Sequence, residues 1–553
     1  MTPQRPPPSV RPSMDDRVAL NARLKEEFAA FGAMHAEELP PEIDEPRIFA
    51  DNFRKPAMRI IAGVFCASLF ASFAASPSFD APGVWSNSFR IDTAFVVVWG
   101  PILAWTLARA SITRAVRIYL VLSLFIEPFS ETMLRQQGDG YWDSVLWPAA
   151  VAYYGTIKEF SGLPGASLPI FFFVTLGLLY RVLRGPNPVG YVRPPKFARQ
   201  LLQLFLGTVL FLAAWGIVQG GSVQGAFQQV LHLVQLPLIS LVFLYAVRMP
   251  EDLAALGTIY VVTALARSLL VVYVYFGVCM PQGITDQPGL PEWCTTHSDS
   301  LLFVVAMLIV ATHAFEQRTK RAIVRAIGVC SVILFAIVLN NRRLAFVSLG
   351  VAATTVYLAL KPSKSKARVT TALVVSIPLF IAYVLIGAEI ESATPLLKPA
   401  KLVMSVLNQK DMSSISRDVE NENLIYTLKQ SPVLSTGFGF DYQYSPNNPP
   451  VDLTDVFVNF RLIAHNGVLW LWSLGGLVGF TLLWMIFPVG GTLAMRAYRR
   501  AGTPLERSAA LAALGALAVC IVQVWGDQGL NGYMTPITFA VAFSVATRLA
   551  VRN

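Results

Sequence analysis

The sequence predicts an all-α, polytopic membrane helix bundle with one large polar loop on its outer face. Three observations predict it. Hydrophobic residues make up 54% of the 553 and charged residues only 14%, with mean hydropathy +0.53, a balance foreign to soluble domains. Apolar runs of about 17–25 residues, the length that a hydrocarbon core demands of a helix, recur along the chain. Lys and Arg gather in alternate connecting segments, as they do in cytosolic loops.

Residues 1–58 are polar, proline-rich and charged, without the apolar core of a secretory signal, and predict a cytosolic tail with one short amphipathic helix around Arg17 to Phe31. Apolar runs follow near 59–76, 92–109, 117–130, 166–184, 201–219, 229–248 and 253–278. A second group lies near 299–316, 323–340, 344–360, 369–388, 466–487, 508–526 and 533–549, giving about fourteen transmembrane helices. The run at 117–130 is short, and Trp147 to Thr156 fits a re-entrant piece. The chain thus divides into a tail (1–58), a first bundle (59–298), helices flanking an arginine hairpin (299–388), a large loop (389–464) and a final block (465–553).

Charge sets the orientation. With the N-terminus inside, the inner connections hold Arg109/Arg114/Arg117, Arg181 to Arg199, Arg318 to Arg325, Lys361 to Arg368 and Arg496 to Arg507. The outer connections at 220–228, 279–298 and 527–532 contain no Lys or Arg. Because the net charge of +10 is spread over these short loops, it signals topology and not a nucleic-acid groove. The five cysteines show no metal spacing. Cys66, Cys330 and Cys520 fall within spans as small hydrophobes, whereas Cys279 and Cys294 flank one outer loop and suit a disulfide if that face is oxidising. Trp142, Trp147, Tyr153 and Tyr154 fit an interfacial aromatic belt.

The outer face carries the residues that suggest chemistry. A polar segment of roughly 75 residues is exceptional in a membrane bundle, and its first half, Leu402 to Leu428, has helical character. It ends at His465-Asn466-Gly467, where an apolar helix begins. A histidine at that junction is placed for proton transfer; the plainer reading is a helix cap. Arg342 and Arg343 sit on an outer turn, against the charge rule, and either meet lipid phosphates or bind an anionic substrate. Arg417 lies in the loop. Arginine's planar fork suits phosphate oxygens, so these residues describe a transferase whose donor carries a phosphate or diphosphate leaving group. The outer face has no nucleotide supply, so the donor would arrive on a lipid. No DxD or HExxH pattern appears there; metal-independent chemistry is expected, with arginines stabilising the leaving charge, and no cofactor is called for. Arg267 is mid-span and either reaches the diphosphate from below or pairs within the bundle. His297 and Asp299 open an outward helix, with Asp299 a helix-start acid or an acceptor contact. His232 and His313 fit bundle packing.

The order of motifs resembles the O-antigen ligase and O-antigen polymerase superfamily over about residues 295–487. The elements are Arg343-Leu344-Ala345; Arg417 followed by Pro432-Val433-Leu434-Ser435-Thr436-Gly437-Phe438-Gly439; and His465-Asn466-Gly467 followed by Leu474-Gly475-Gly476-Leu477-Val478-Gly479. The resemblance implies a GT-C-like fold in a bacterial inner membrane, with the site facing the periplasm. It also implies transfer of a glycan from undecaprenyl diphosphate to an acceptor hydroxyl on a growing glycan or lipid A core, alongside other polysaccharide assembly proteins. His465 would be the base, Arg343 (or its neighbour Arg342) and Arg417 the diphosphate ligands, and Asn466 an acceptor-side residue with His297 and Asp299. The long tail and early spans lean toward a polymerase. Two rival classes are a precursor transporter or flippase, which would show paired broken spans in symmetric halves, and a non-enzymatic subunit of an export complex. No internal repeat favours the first.

Overall fold

The computed structural model describes residues 54–75, 99–126, 146–156, 168–185, 193–247, 250–279, 295–340, 342–390, 397, 399–401, 403–404, 412–448 and 461–551, all within one unit, 52–553. Helices dominate: α1 (Arg54–Ala75), α2 (Ile112–Phe125), α3 (Trp147–Tyr154), α4 (Ile170–Arg184), α5 (Lys196–Val218), α6 (Val223–Ala246), α7 (Pro250–Val274, extended by a π turn Tyr275–Cys279) and α8 (His297–Gln317). They continue with α9 (Lys320–Asn340), α10 (Arg343–Ala359), α11 (Lys364–Glu389), α12 (Met412–Gln430), α13 (Gly467–Trp484), α14 (Ile486–Arg500), α15 (Pro504–Gly526) and α16 (Met534–Val551). Among the described residues the sole β pairing is an isolated bridge between Thr156 and Pro169. The chain is an all-α polytopic membrane protein.

Nine segments of the described chain are long and apolar enough to cross a bilayer, counting α13 and α14 together as one span, Gly467–Arg500. The run expected at 117–130 is instead α2, 14 residues from Ile112 to Phe125, which at about 1.5 Å per residue falls short of a full crossing. Helix α4 has 15 residues and α10 has 17. The expected span at 92–109 is described only from residue 99. The proposed tail helix around 17–31 and the pairing partner Cys294 lie outside the described residues.

Local sequence explains where the helices start. Thr503 and Glu506 form a reciprocal capping box in front of α15, with Pro504 in its first turn. Ser222, Ser363 and Asn466 each accept a backbone N–H at the starts of α6, α11 and α13. Helices α15 and α16 form the enclosed centre, packed by α6, α8, α10 and α14. The small residues of α15 allow this closeness: a Cβ on Gly515 would lie 2.9 Å from Leu308 and 3.1 Å from Val356. Helix α11 lies at the periphery, its apolar side chains mostly exposed, as befits a lipid-facing span.

Three local expectations change. Tyr153 and Tyr154 are buried and not an interfacial belt: Tyr153 shares a hydrogen bond with Ser123 Oγ (3.1 Å) and Tyr154 donates to the Ser123 carbonyl (2.9 Å). Of the span cysteines only Cys520 is buried; Cys66 is exposed. Helix α13 is interrupted at Gly476 (φ 61°, ψ −172°), where the sequence predicts an unbroken span. The break is filled from outside: Leu477 and Val478 donate to the carbonyls of Pro432 and Val433 (2.8 and 3.1 Å), and the Leu474 carbonyl accepts from Gly437 (2.9 Å). Freed backbone groups within a bilayer need such partners, and only glycine fits, since a Cβ would lie 2.5 Å from the Val433 carbonyl oxygen.

Candidate active site

The segment from Pro432 to Gly439 is the keystone of one end of the bundle. Phe438 donates to the Leu212 carbonyl near the end of α5 (3.0 Å), and Trp215 Nε1 donates to the Ser435 carbonyl (2.9 Å). The buried amide of Gln229 on α6 accepts from Gly439 N–H (2.6 Å) and donates to the carbonyls of Phe440 and Leu462 (3.1 and 2.8 Å). It thereby ties both flanks of residues 449–460 to one helix. Trp470 donates to the same Leu462 carbonyl (2.8 Å) and stacks on Phe438 with centroids 5.9 Å apart. Gly437 has φ 81°, and a Cβ there would meet the Leu212 carbonyl oxygen at 2.5 Å. Gly437→Ala is expected to destabilise the purified protein by about 2–4 kcal/mol through left-handed backbone strain and overpacking, read as a lower thermal midpoint. An unchanged midpoint would mean that the turn is not anchored on α5.

Helix α12 is polar, and its side chains are laced to the segment that follows. Thr427 Oγ1 and Asn423 Oδ1 each accept a backbone N–H, from Gln443 and Ser445 respectively (both 2.8 Å). One turn nearer its start, Glu420 reaches across 45 residues of sequence to His465. Its Oε2 accepts the His465 backbone N–H (3.1 Å), and its two oxygens lie 3.2 and 3.3 Å from the ring Nδ1. Asn466 Nδ2 donates to Asn421 Oδ1 (3.0 Å), while its own Oδ1 caps α13 by accepting from Leu469 N–H (3.1 Å). On the opposite side, the His465 carbonyl accepts from Gln528 N–H (2.8 Å) in the α15–α16 turn. The side chain of His465 is 37% exposed and that of Glu420 only 10%, so a shielded carboxylate backs an accessible imidazole.

Arg417 lies three residues before Glu420 on the same helix, so the two are surface neighbours; it is half-buried. Arg343 opens α10. It belongs to the same end of the bundle, because the next residue, Leu344, packs against Gly526 at the end of α15, two residues before Gln528. Arg342 is buried and donates to the Thr295 carbonyl (3.1 Å), while the Asn340 side chain accepts from Thr295 N–H (2.8 Å); this turn pins the start of α8. Arg267 and Asp299 are both fully buried and pair with each other through two hydrogen bonds (2.7 and 2.8 Å), and Arg267 also donates to the Phe125 carbonyl (3.1 Å). Of the two roles the sequence left open for Arg267, pairing within the bundle is the one observed. His297 begins α8, with its side chain outside the described residues. His232 packs edge-on against Tyr533 (5.3 Å) inside the bundle.

Sequence reasoning missed Glu420 as the partner of His465, and it missed Arg461, Tyr442 and Tyr444. Arg461 pairs with Asp441 (3.4 Å) and lies 5.0 Å above the Tyr444 ring, while Tyr442 N–H donates to the Arg461 carbonyl (3.1 Å). Burial, and then the neighbouring charge of Glu420, hold the Tyr442 phenol well above its usual range, so it remains protonated. A search of the sequence for a carboxylate to orient His465 would have met several in the loop; only the packing of α12 selects one.

Residues 326–484 match the family model described as O-antigen ligase. That stretch runs from α9 to the end of α13 and contains Arg343, Arg417, Glu420, the Pro432–Gly439 keystone and His465. The match supports the O-antigen ligase/polymerase superfamily for this chain, and with it a glycosyltransferase-like role in polysaccharide assembly. A search of curated proteins finds no match.

Proposed function

We propose that the protein transfers a glycan from an undecaprenyl-diphosphate-linked donor to a saccharide hydroxyl, with its site facing the periplasm of a bacterial inner membrane. The observation that carries this reading is the His465–Glu420 contact at the mouth of the bundle, with Arg417 one turn along the same helix. In the reaction, His465 takes the proton of the acceptor hydroxyl as its oxygen attacks the anomeric carbon. The new glycosidic C–O bond forms as the anomeric carbon–phosphate oxygen bond breaks, and undecaprenyl diphosphate leaves with the electron pair. Arg343 and Arg417 stabilise the charge that develops on the diphosphate. Arg342, committed to Thr295, supports Arg343 by fixing the turn before it.

The test is turnover by the purified protein, measured as release of undecaprenyl diphosphate from an undecaprenyl-diphosphate-linked oligosaccharide. The same lipid-linked oligosaccharide and lipid A core are offered as acceptors in separate reactions, which distinguishes polymerase from ligase. Absence of transfer to either acceptor, with the substrate instead moved across proteoliposomes, would favour the transporter class. Sidedness is checked separately. Cysteines placed at the exposed positions Asn447 and Lys364 are expected to react with an impermeant maleimide from opposite faces, Asn447 from the periplasm; labelling of both from one face would dissolve the proposed site.

A further inference from the structure

We propose that Glu420 is the positioning residue that sets the tautomer of His465, keeping the ring proton on Nδ1 and the lone pair on Nε2. This rests on the reading of His465 as the base. An ionised carboxylate can only accept hydrogen bonds. Its oxygens face Nδ1 at 3.2 and 3.3 Å, so a neutral imidazole there must present Nδ1–H to them, and its basic nitrogen is then Nε2. The same carboxylate takes the His465 backbone N–H at 3.1 Å. One side chain thus fixes the main chain and the ring of the same residue, which leaves the imidazole little freedom to turn.

The surroundings bear on this assignment from each packed element. On α12, Arg417 sits one turn before Glu420. From the following segment come Tyr442, whose phenol stays protonated beside Glu420, and Asp441, which is paired with Arg461. Asp527 precedes Gln528 in the turn that holds the His465 carbonyl. Among the described residues, Glu420 is the carboxylate seen in contact with the ring. Glutamine at 420 would keep an oxygen for the backbone N–H, but its amide N–H₂ would face Nδ1. That donor calls for a lone pair on Nδ1 and moves the proton to Nε2, the nitrogen that must accept. A merely structural Glu420 would tolerate this isostere, whereas a tautomer-setting one would not.

The experiment uses the full-length protein and the undecaprenyl-diphosphate release assay. Glu420→Gln is expected to lower kcat by about 10²–10⁴, the scale on which a base is disabled by the wrong tautomer, with donor KM and thermal midpoint unchanged. Glu420→Asp should recover part of that loss, and Glu420→Gln combined with His465→Ala should be no slower than His465→Ala alone. In wild-type protein labelled with ¹⁵N-histidine, the His465 resonances, assigned by their loss in His465→Ala, should show a protonated Nδ1 and an unprotonated Nε2. That readout needs no folded Glu420 variant. An inactive His465→Ala beside a fully active Glu420→Gln, or the opposite tautomer in the wild type, overturns this proposal and leaves the base intact. An active His465→Ala overturns the base and this proposal together.

Discussion

His465→Ala is expected to stop glycan transfer while the protein still inserts and folds. A sugar hydroxyl is a weak nucleophile at neutral pH, and a positioned general base contributes about 10²–10⁴ in rate, or about 3–5 kcal/mol of barrier. The side chain is 37% exposed and packs little apolar surface, so its loss removes chemistry more than stability. Its backbone bonds to Glu420 and to Gln528 persist in alanine, which keeps the start of α13 in place. The measurement is single-turnover release of undecaprenyl diphosphate by matched amounts of wild-type and variant protein. Retained turnover would make His465 a structural element of the α13 start, and the proton would then need another acceptor.

The second large effect concerns the arginines. Arg343→Ala and Arg417→Ala are each expected to reduce turnover by about 10²–10³, the cost of removing one preorganised charge from a developing anion. Lysine should restore little, because it lacks the planar fork that grips two phosphate oxygens. Arg417 is only half-buried on α12, so its replacement should leave the thermal midpoint unchanged. Arg342→Ala, by contrast, should act through stability, since this buried guanidinium holds the Thr295 carbonyl. Near-normal turnover by Arg417→Ala at matched protein level would remove that residue from the donor site.

The motifs differ in what their sequence could convey. Pro432 to Gly439 was legible as a glycine-bearing turn, but not as the piece that repairs a broken helix: nothing along the chain tells Gly476 that its freed backbone will meet Pro432 and Val433. Arg267 and Asp299 were each visible as charges in or beside the membrane, 32 residues apart; that they neutralise each other is a fact of packing between α7 and α8. Tyr153 and Tyr154 matched an interfacial pattern by composition alone, and burial against Ser123 overrode it.

The sequence by itself determined that the chain is an all-α, polytopic membrane protein and placed His465 at a helix start. Hydropathy, charge alternation and capping residues act over a few turns of chain, so they survive in a linear reading. Tertiary structure alone decided which carboxylate meets that histidine, and that Arg267 is paired with Asp299 and Arg342 with the Thr295 carbonyl. Those outcomes depend on contacts between residues tens of positions apart, where geometry and desolvation select one partner among several of the same chemistry.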